Sequence, residues 1–139
     1  MCDFFTSASG VRNFPGRLLE LQNHKALYYR APNGIFEWQA YSRGAWFEPA
    51  LPAAFVSNDG AAILDAAYDN LGIALVPEWA VAKELKSGIL REIVLSDAVL
   101  SVSRKPDLGI YLIYTPPKYS LVKVKAAVEF LVSELSLFT

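Results

Sequence analysis

The sequence predicts an α/β fold in which a mostly parallel sheet is flanked by helices, and three observations support this prediction. Between residues 53 and 95, short apolar segments alternate with segments of helical periodicity. Proline and glycine fall at the ends of these segments rather than in linkers. The 139 residues are 53% hydrophobic and 19% charged, which is typical of a folded domain with a single core.

The first third of the chain predicts a short helix, a strand and a hairpin. Residues 1–13 show no periodicity. Residues 15–24 begin with a proline and place leucines on one helical face, and residues 26–30 form the strand that follows. The hairpin strands span residues 36–41 and 45–47 and are joined by the turn-like Ser42-Arg43-Gly44.

The clearest pattern is a run of strands and helices in the middle of the chain. Each of its two helices is preceded by capping residues or a first-turn proline and is followed by glycine. Such alternation predicts parallel strands joined by right-handed crossovers. The strands span residues 53–56, 73–76 and 90–95, Ser57-Asn58-Asp59 and Pro77 begin the helices, and Gly72 and Gly88 end them.

The last third predicts a loop at 96–108, a strand at 109–114 and a final helix. The chain changes direction at Thr115-Pro116-Pro117, after which Ser120 is placed to cap the helix. Four apolar residues of that helix form one stripe, which requires a partner surface. They are Val124, Val128, Leu131 and Leu135.

The residue types exclude most catalytic chemistry. Cys2 is the only cysteine and His24 the only histidine, so no intrachain disulfide, Cys-His dyad or usual metal site can be assembled. We therefore expect neither an enzyme nor a bound cofactor. The formal net charge of −1 gives no electrostatic basis for direct DNA binding. With no leader pattern or long apolar run, we expect a cytoplasmic protein without a membrane span.

Several segments, in their order and spacing, resemble the effector domain of LysR-type transcriptional regulators. They are ALYYRAPNG, EWQAYSRGAW, the run from Val56 to Ile93 with its LGIALVPEW, and IYLIYTPPKYSLVKVKAAVEFLVSEL. The resemblance implies a lobe of the type 2 periplasmic-binding-protein-like fold, with a mixed, mostly parallel sheet. It further implies that 1–139 is the C-terminal part of an effector domain without the helix-turn-helix. Residues from about 25 to 109 would be the second lobe, and 110–139 a return strand and a C-terminal helix belonging to the other lobe.

Four residues are candidates for contact with an effector: Arg30, Ser57, Asn58 and Pro77. Ser57 and Asn58 follow a parallel strand and precede a helix, where ligands gather in open α/β sheets. Helix capping explains the same two residues equally well. Arg30 has the fork geometry that binds carboxylates, although a plain strand-end role is favoured for it. Pro77 lies at the second strand-to-helix junction and lacks one donor.

The resemblance implies a function in sensing a small molecule, with an organic acid or an aromatic compound as the expected effector. DNA would be bound only through the parent regulator, and self-association as a dimer or higher oligomer is expected from the apolar stripe of the last helix. The alternative is a stand-alone solute-binding or subunit-assembly module of the same fold.

Overall fold

The computed structural model describes residues 4–8, 14–105, 111–113 and 121–135. The chain divides into two units, Cys2–Pro106 and, together with Met1, Asp107–Thr139. The strands are β1 (Phe4–Ala8), β2 (Ala26–Ala31), β3 (Gly34–Ile35), β4 (Gln39–Ser42), β5 (Ala45–Phe47), β6 (Ala53–Ser57), β7 (Ile73–Pro77), β8 (Arg91–Glu92) and β9 (Val99–Ser101). The helices are a 3-10 helix (Leu18–Asn23), α1 (Gly60–Tyr68), α2 (Glu78–Ser87) and α3 (Val122–Leu135).

The main sheet of the first unit is built around β2. Strand β2 pairs in parallel with β6 and with β7, and Leu27 is the register partner of both Phe55 and Ala74. It also pairs with β3 in a tight antiparallel hairpin. The predicted parallel strand–helix run is therefore present in β6, α1, β7 and α2, and the α/β class with a mixed sheet is confirmed.

Strand β1 makes the sheet mixed, and it lies in residues 1–13, for which no element was predicted. It lies between β7 and β8 and pairs antiparallel with both, with Phe4 opposite Pro77 and Ser7 opposite Glu92. The predicted strand at 90–95 was wrong in length and in partner, since it shortens to Arg91–Glu92 and does not pair with β7. A strand whose partners are so distant in sequence leaves no local periodicity to detect.

Two apolar layers cover the two faces of the main sheet, because successive side chains of a strand point to opposite sides. On β2, Leu27 joins the layer under α1 and α2, whereas Tyr28 joins the layer on the other face. The helices contribute buried residues at helical spacing to the first layer. These are Ile63, Ala66 and Ala67 of α1 and Val81 of α2.

A small three-stranded sheet in the order β5-β4-β9 covers the other face. Its strand β9 lies in the region predicted as a loop. The buried side chain of Gln39 links this sheet to its surroundings, since Nε2 donates to Glu48 Oε1 at 3.0 Å and Oε1 accepts from Arg104 Nε at 2.7 Å. Both polar atoms of this buried amide are thus satisfied, as burial requires.

The predicted role of Gly72 as a helix C-cap was wrong. The left-handed residue after α1 is Asn70, with φ of 58°, and the helix is capped at Asp69. Gly72 instead lies where β7 approaches the segment before β2, and a Cβ there would be 2.5 Å from the Lys25 carbonyl oxygen. The predicted C-cap at Gly88 is confirmed, with φ of 76°.

In the second unit, the structure describes α3 and residues 111–113. None of the residues of α3 is buried, and Leu131 and Leu135 are 40% and 45% exposed. Residues 111–113 are not in a strand, and the remainder of the predicted strand at 109–114 lies outside the described residues. The predicted turn at Thr115-Pro116-Pro117 and the predicted cap at Ser120 also lie outside them.

We predict that Gly72→Ala lowers the free energy of unfolding by roughly 1 to 3 kcal/mol, because the new methyl group would overlap a backbone carbonyl. Gly60→Ala is the matched control. A Cβ at position 60 meets no atom within 4 Å, so this variant should be neutral or slightly more stable. Urea denaturation of both variants measures the difference. Equal stability of the two would contradict the close approach of β7 and β2.

Candidate functional site

The carboxyl edge of the main sheet brings three of the four predicted residues to one level and places Ser57 one residue before it. Leu27, Phe55 and Ala74 are register partners in one row across the three strands. Counting three residues onward along each strand direction gives Arg30, Asn58 and Pro77, respectively. Ser57 is the last residue of β6 and is the register partner of Tyr29. The parallel pairing of β2, β6 and β7 therefore aligns all four positions along the edge where α1 and α2 begin.

The turn into α1 corrects the predicted capping. The N-cap is Asp59, whose carboxylate accepts a hydrogen bond from the Ala61 amide at 2.9 Å. Ser57 Oγ accepts from the Asp59 amide at 3.0 Å and so shapes the turn without capping the helix. Asp59 belongs to the predicted capping segment, but the capping role was predicted for Ser57 and Asn58. Three adjacent side chains of similar capping propensity gave no signal to distinguish them.

Asn58 therefore has no structural role in the described turn. Its side chain is exposed and makes no hydrogen bond with the residues that the structure describes. An amide in this position can both donate to and accept from a polar ligand.

Arg30 supplies positive charge at this edge. It is exposed, and it forms no ion pair within the described part of the chain. The Asp59 carboxylate is already hydrogen-bonded to one of the first amides of α1, which offsets the attraction of that helix end for an anion. Attraction of a carboxylate to this edge thus depends mainly on the Arg30 guanidinium.

An aromatic pair stands beside Arg30. The rings of Tyr29 and Phe36 stack with centroids 5.9 Å apart and an interplanar angle of 24°, and both rings are partly exposed. The Phe36 amide donates to the Tyr29 carbonyl at 2.8 Å, so the hairpin of β2 and β3 fixes the pair. Neither ring was among the residues predicted to contact an effector. The tight Pro32-Asn33-Gly34 turn between them was the available signal.

Pro77 is the last residue of β7 and lies on the side of Arg30 opposite to Asn58. It is the N-cap of α2 in extended backbone, and its ring is half-buried. Having no amide proton, it contributes apolar contact rather than a hydrogen bond. Trp79, two residues later, is 63% exposed. The edge therefore combines one cation, one free amide and several apolar side chains, which suits a small polar or anionic molecule with an apolar body.

Metal-ligand groups, membrane-spanning helices and shifted pKa values were sought among the described residues. Among them, no three His, Cys, Asp or Glu side chains form a group that could hold a metal ion. Within the same residues, no helix has the length and apolar character needed to cross a membrane. The two tyrosines with shifted pKa values are not among the four candidate residues. Burial raises the pKa of both Tyr28 and Tyr68.

Comparison with solved structures shows the same fold in bacterial regulators. CrgA from Neisseria meningitidis is similar with a TM-score of 0.71 and 17% identity, over 96% of this chain and 45% of that one. The regulatory domain of C227S AphB from Vibrio vulnificus is similar with a TM-score of 0.66 and 17% identity, over 94% of this chain and 64% of that one. Full-length AphB from Vibrio cholerae is similar with a TM-score of 0.57 and 24% identity, over 70% of this chain and 34% of that one. A search of curated proteins finds no match.

The fold and these comparisons define the class as a type 2 periplasmic-binding-protein-like fold. The family model of the LysR substrate binding domain matches residues 15–136. The chain therefore belongs to the LysR substrate-binding domain family. It spans about a third of the length of full-length AphB and less than half of CrgA.

We predict that Asp59→Ala lowers the free energy of unfolding by about 1 kcal/mol, because it removes the side chain that caps α1. Asn58→Ala should change it by less than about 0.5 kcal/mol, since the residue is exposed and holds no described contact. Chemical denaturation monitored by circular dichroism measures both. A larger loss in Asn58→Ala than in Asp59→Ala would restore Asn58 as the cap.

Proposed function

We propose that this chain is the effector-sensing part of a LysR-type transcriptional regulator. Residues from about 25 to 109 form the second lobe of its effector domain, and 110–139 return to the other lobe. DNA is bound through a domain of the parent regulator and not by this chain, whose net charge is −1. The role is binding rather than catalysis, in the cytoplasm.

The effector is an organic acid or an aromatic compound, and it contacts Arg30, Ser57, Asn58 and Pro77. The observation that carries this proposal is the shared level of Arg30, Asn58 and Pro77 at the edge where α1 and α2 begin. Arg30 binds the carboxylate in a forked arrangement, and Asn58 donates to or accepts from a second polar group. The stacked Tyr29 and Phe36 supply the apolar wall.

Binding at this edge would shift the equilibrium between two arrangements of the lobes in the parent effector domain. A ligand shifts an equilibrium between two arrangements only by the difference in its affinity for them. Contacts from both lobes to one effector would provide that difference. The change would then be transmitted through the oligomer to the DNA-binding domains of the parent.

Benzoate is a suitable first probe of the edge because it combines a carboxylate with an aromatic ring. In ¹⁵N-edited NMR titrations we expect saturable shifts of the amides of Arg30, Asn58 and Gly60. Arg30→Ala should weaken binding by roughly tenfold or more, since it removes a charge-assisted hydrogen bond, and Asn58→Ala should weaken it without loss of stability. Lys86→Ala is the control, because it removes a positive charge from the far end of α2. Unchanged affinity in both Arg30→Ala and Asn58→Ala would refute the assignment.

We also propose that the chain self-associates through α3. The stripe of Val124, Val128, Leu131 and Leu135 has no buried member, and burial of one such side chain contributes roughly 1.5 to 3 kcal/mol. A second copy offers the same stripe and so a self-complementary contact.

Light scattering coupled to size exclusion should therefore give a mass above 15.3 kDa for the chain. Leu131→Asp should shift the species toward the monomer, because a charge would be buried in the contact. Ala126→Asp places the same charge on the opposite side of the helix and should leave the mass unchanged. A monomeric wild-type chain at high concentration would disprove this proposal.

A further inference from the structure

A cleft of about 530 Å³ opens at the other edge of the main sheet. Its walls come from the 3-10 helix, the turn between β4 and β5, and the segment that precedes β6. Leu21 and Leu51 in these walls lie shortly before β2 and β6, whereas Arg30 and Asn58 lie at the ends where those strands finish. The volume falls within the roughly 300–1,000 Å³ of small-molecule sites.

The cleft has an apolar wall on an otherwise water-facing surface. Leu18 and Leu19 of the 3-10 helix face it together with Phe47 of β5. Leu19 is 73% exposed and Phe47 is 37% exposed, so both retain apolar area that a ligand would remove from water. Aliphatic and proline side chains outnumber aromatic ones in the lining, which suits an aliphatic chain.

The charged groups of the lining are one guanidinium, that of Arg43, and two carboxylates, those of Glu48 and Asp97, which already accept hydrogen bonds. Asp97 Oδ1 accepts from the Leu18 amide at 2.8 Å. Glu48 Oε1 accepts from Gln39 at 3.0 Å and lies 3.5 Å from Arg104. Arg43, by contrast, forms no ion pair or hydrogen bond within the part of the chain that the structure describes. A carboxylate entering the cleft would meet an available guanidinium.

Arg43 occupies this position against its own backbone preference. It takes φ of 51° and Gly44 takes φ of 82°, so the two residues form a hairpin turn that favours glycine or asparagine at both positions. A left-handed conformation costs an ordinary residue on the order of 1 kcal/mol. Unfavourable backbone conformations of this kind cluster at functional sites.

We propose that this cleft is a second ligand site and that it binds an aliphatic carboxylate of medium chain length. The Arg43 guanidinium pairs with the carboxylate, and the chain lies against Leu19 and Phe47. The exposed side-chain amide of Gln22, which also lines the cleft, is available as a further donor. The site is separate from the edge that carries Arg30 and Asn58, and it does not depend on the function proposed for that edge.

Octanoate is the probe, and the complete 139-residue chain is titrated with it in ¹⁵N-edited NMR spectra. We expect saturable shifts of the amides of Leu19, Ser42, Gly44 and Phe47. Arg43→Gly should weaken binding at least about tenfold and keep or raise the melting temperature, since glycine relieves the positive φ. Leu19→Ser should also weaken binding, and it should leave the melting temperature unchanged because Leu19 is exposed. Lys83→Ala, which removes a charge from an exposed position on α2, should leave affinity unchanged.

Octanol tests whether the carboxylate is recognised, because it has the same chain without the charge. Binding of octanol at least about tenfold weaker than that of octanoate supports the proposal. Equal affinity of the two compounds, or an unchanged affinity in Arg43→Gly, overturns it in favour of a plain apolar groove. Absence of saturable shifts, or shifts confined to Asn58 and Gly60, also overturns it. Because benzoate binding at the carboxyl edge is measured on different amides, failure of either site is distinguished from failure of the other.

Discussion

The hydrogen bond from the Ile73 amide to the Lys25 carbonyl, at 2.9 Å, joins the start of β7 to the residue before β2. This approach is possible because Gly72 has no side chain to collide with that carbonyl. It sets the register in which Leu27 faces Ala74. With β6 on the other side of β2 in the same direction, the register decides which residues meet at each edge of the sheet. The level arrangement of Arg30, Asn58 and Pro77 follows from it.

Elements that depend on local sequence were predictable. The helices α1 and α2 and the strands before them follow from apolar spacing, and the end of α2 follows from Gly88. Strands β1, β8 and β9 were missed or misjudged because pairing with distant segments stabilises such short strands, and their own composition does not. The candidate edge was predictable because parallel strands place their carboxyl ends together. The capping role of Asp59 was not, since it depends on the geometry of one turn.

The two edges of the first unit offer different chemistry from the same layered architecture. At the carboxyl edge, stacked rings and a free amide lie near a single arginine. At the amino edge, leucines and a hairpin turn surround another arginine, while nearby carboxylates are already engaged. Both arginines are exposed, yet the apolar surroundings differ between ring surfaces and aliphatic chains. A fold of this kind can thus separate two carboxylate ligands by the shape of their apolar parts.

The position of β1 has a consequence for how the chain acquires its structure. Phe4 is the register partner of Pro77 and Ser7 that of Glu92, so the position between β7 and β8 is filled by a segment from much earlier in the chain. Strand β8 has no described pairing except with β1, so β8 joins the sheet only through that strand. Contacts of such high sequence separation are slow to form. Because β1 precedes both partners in the chain, it would leave the ribosome before them, while β2, β6 and β7 can pair around Leu27 without it.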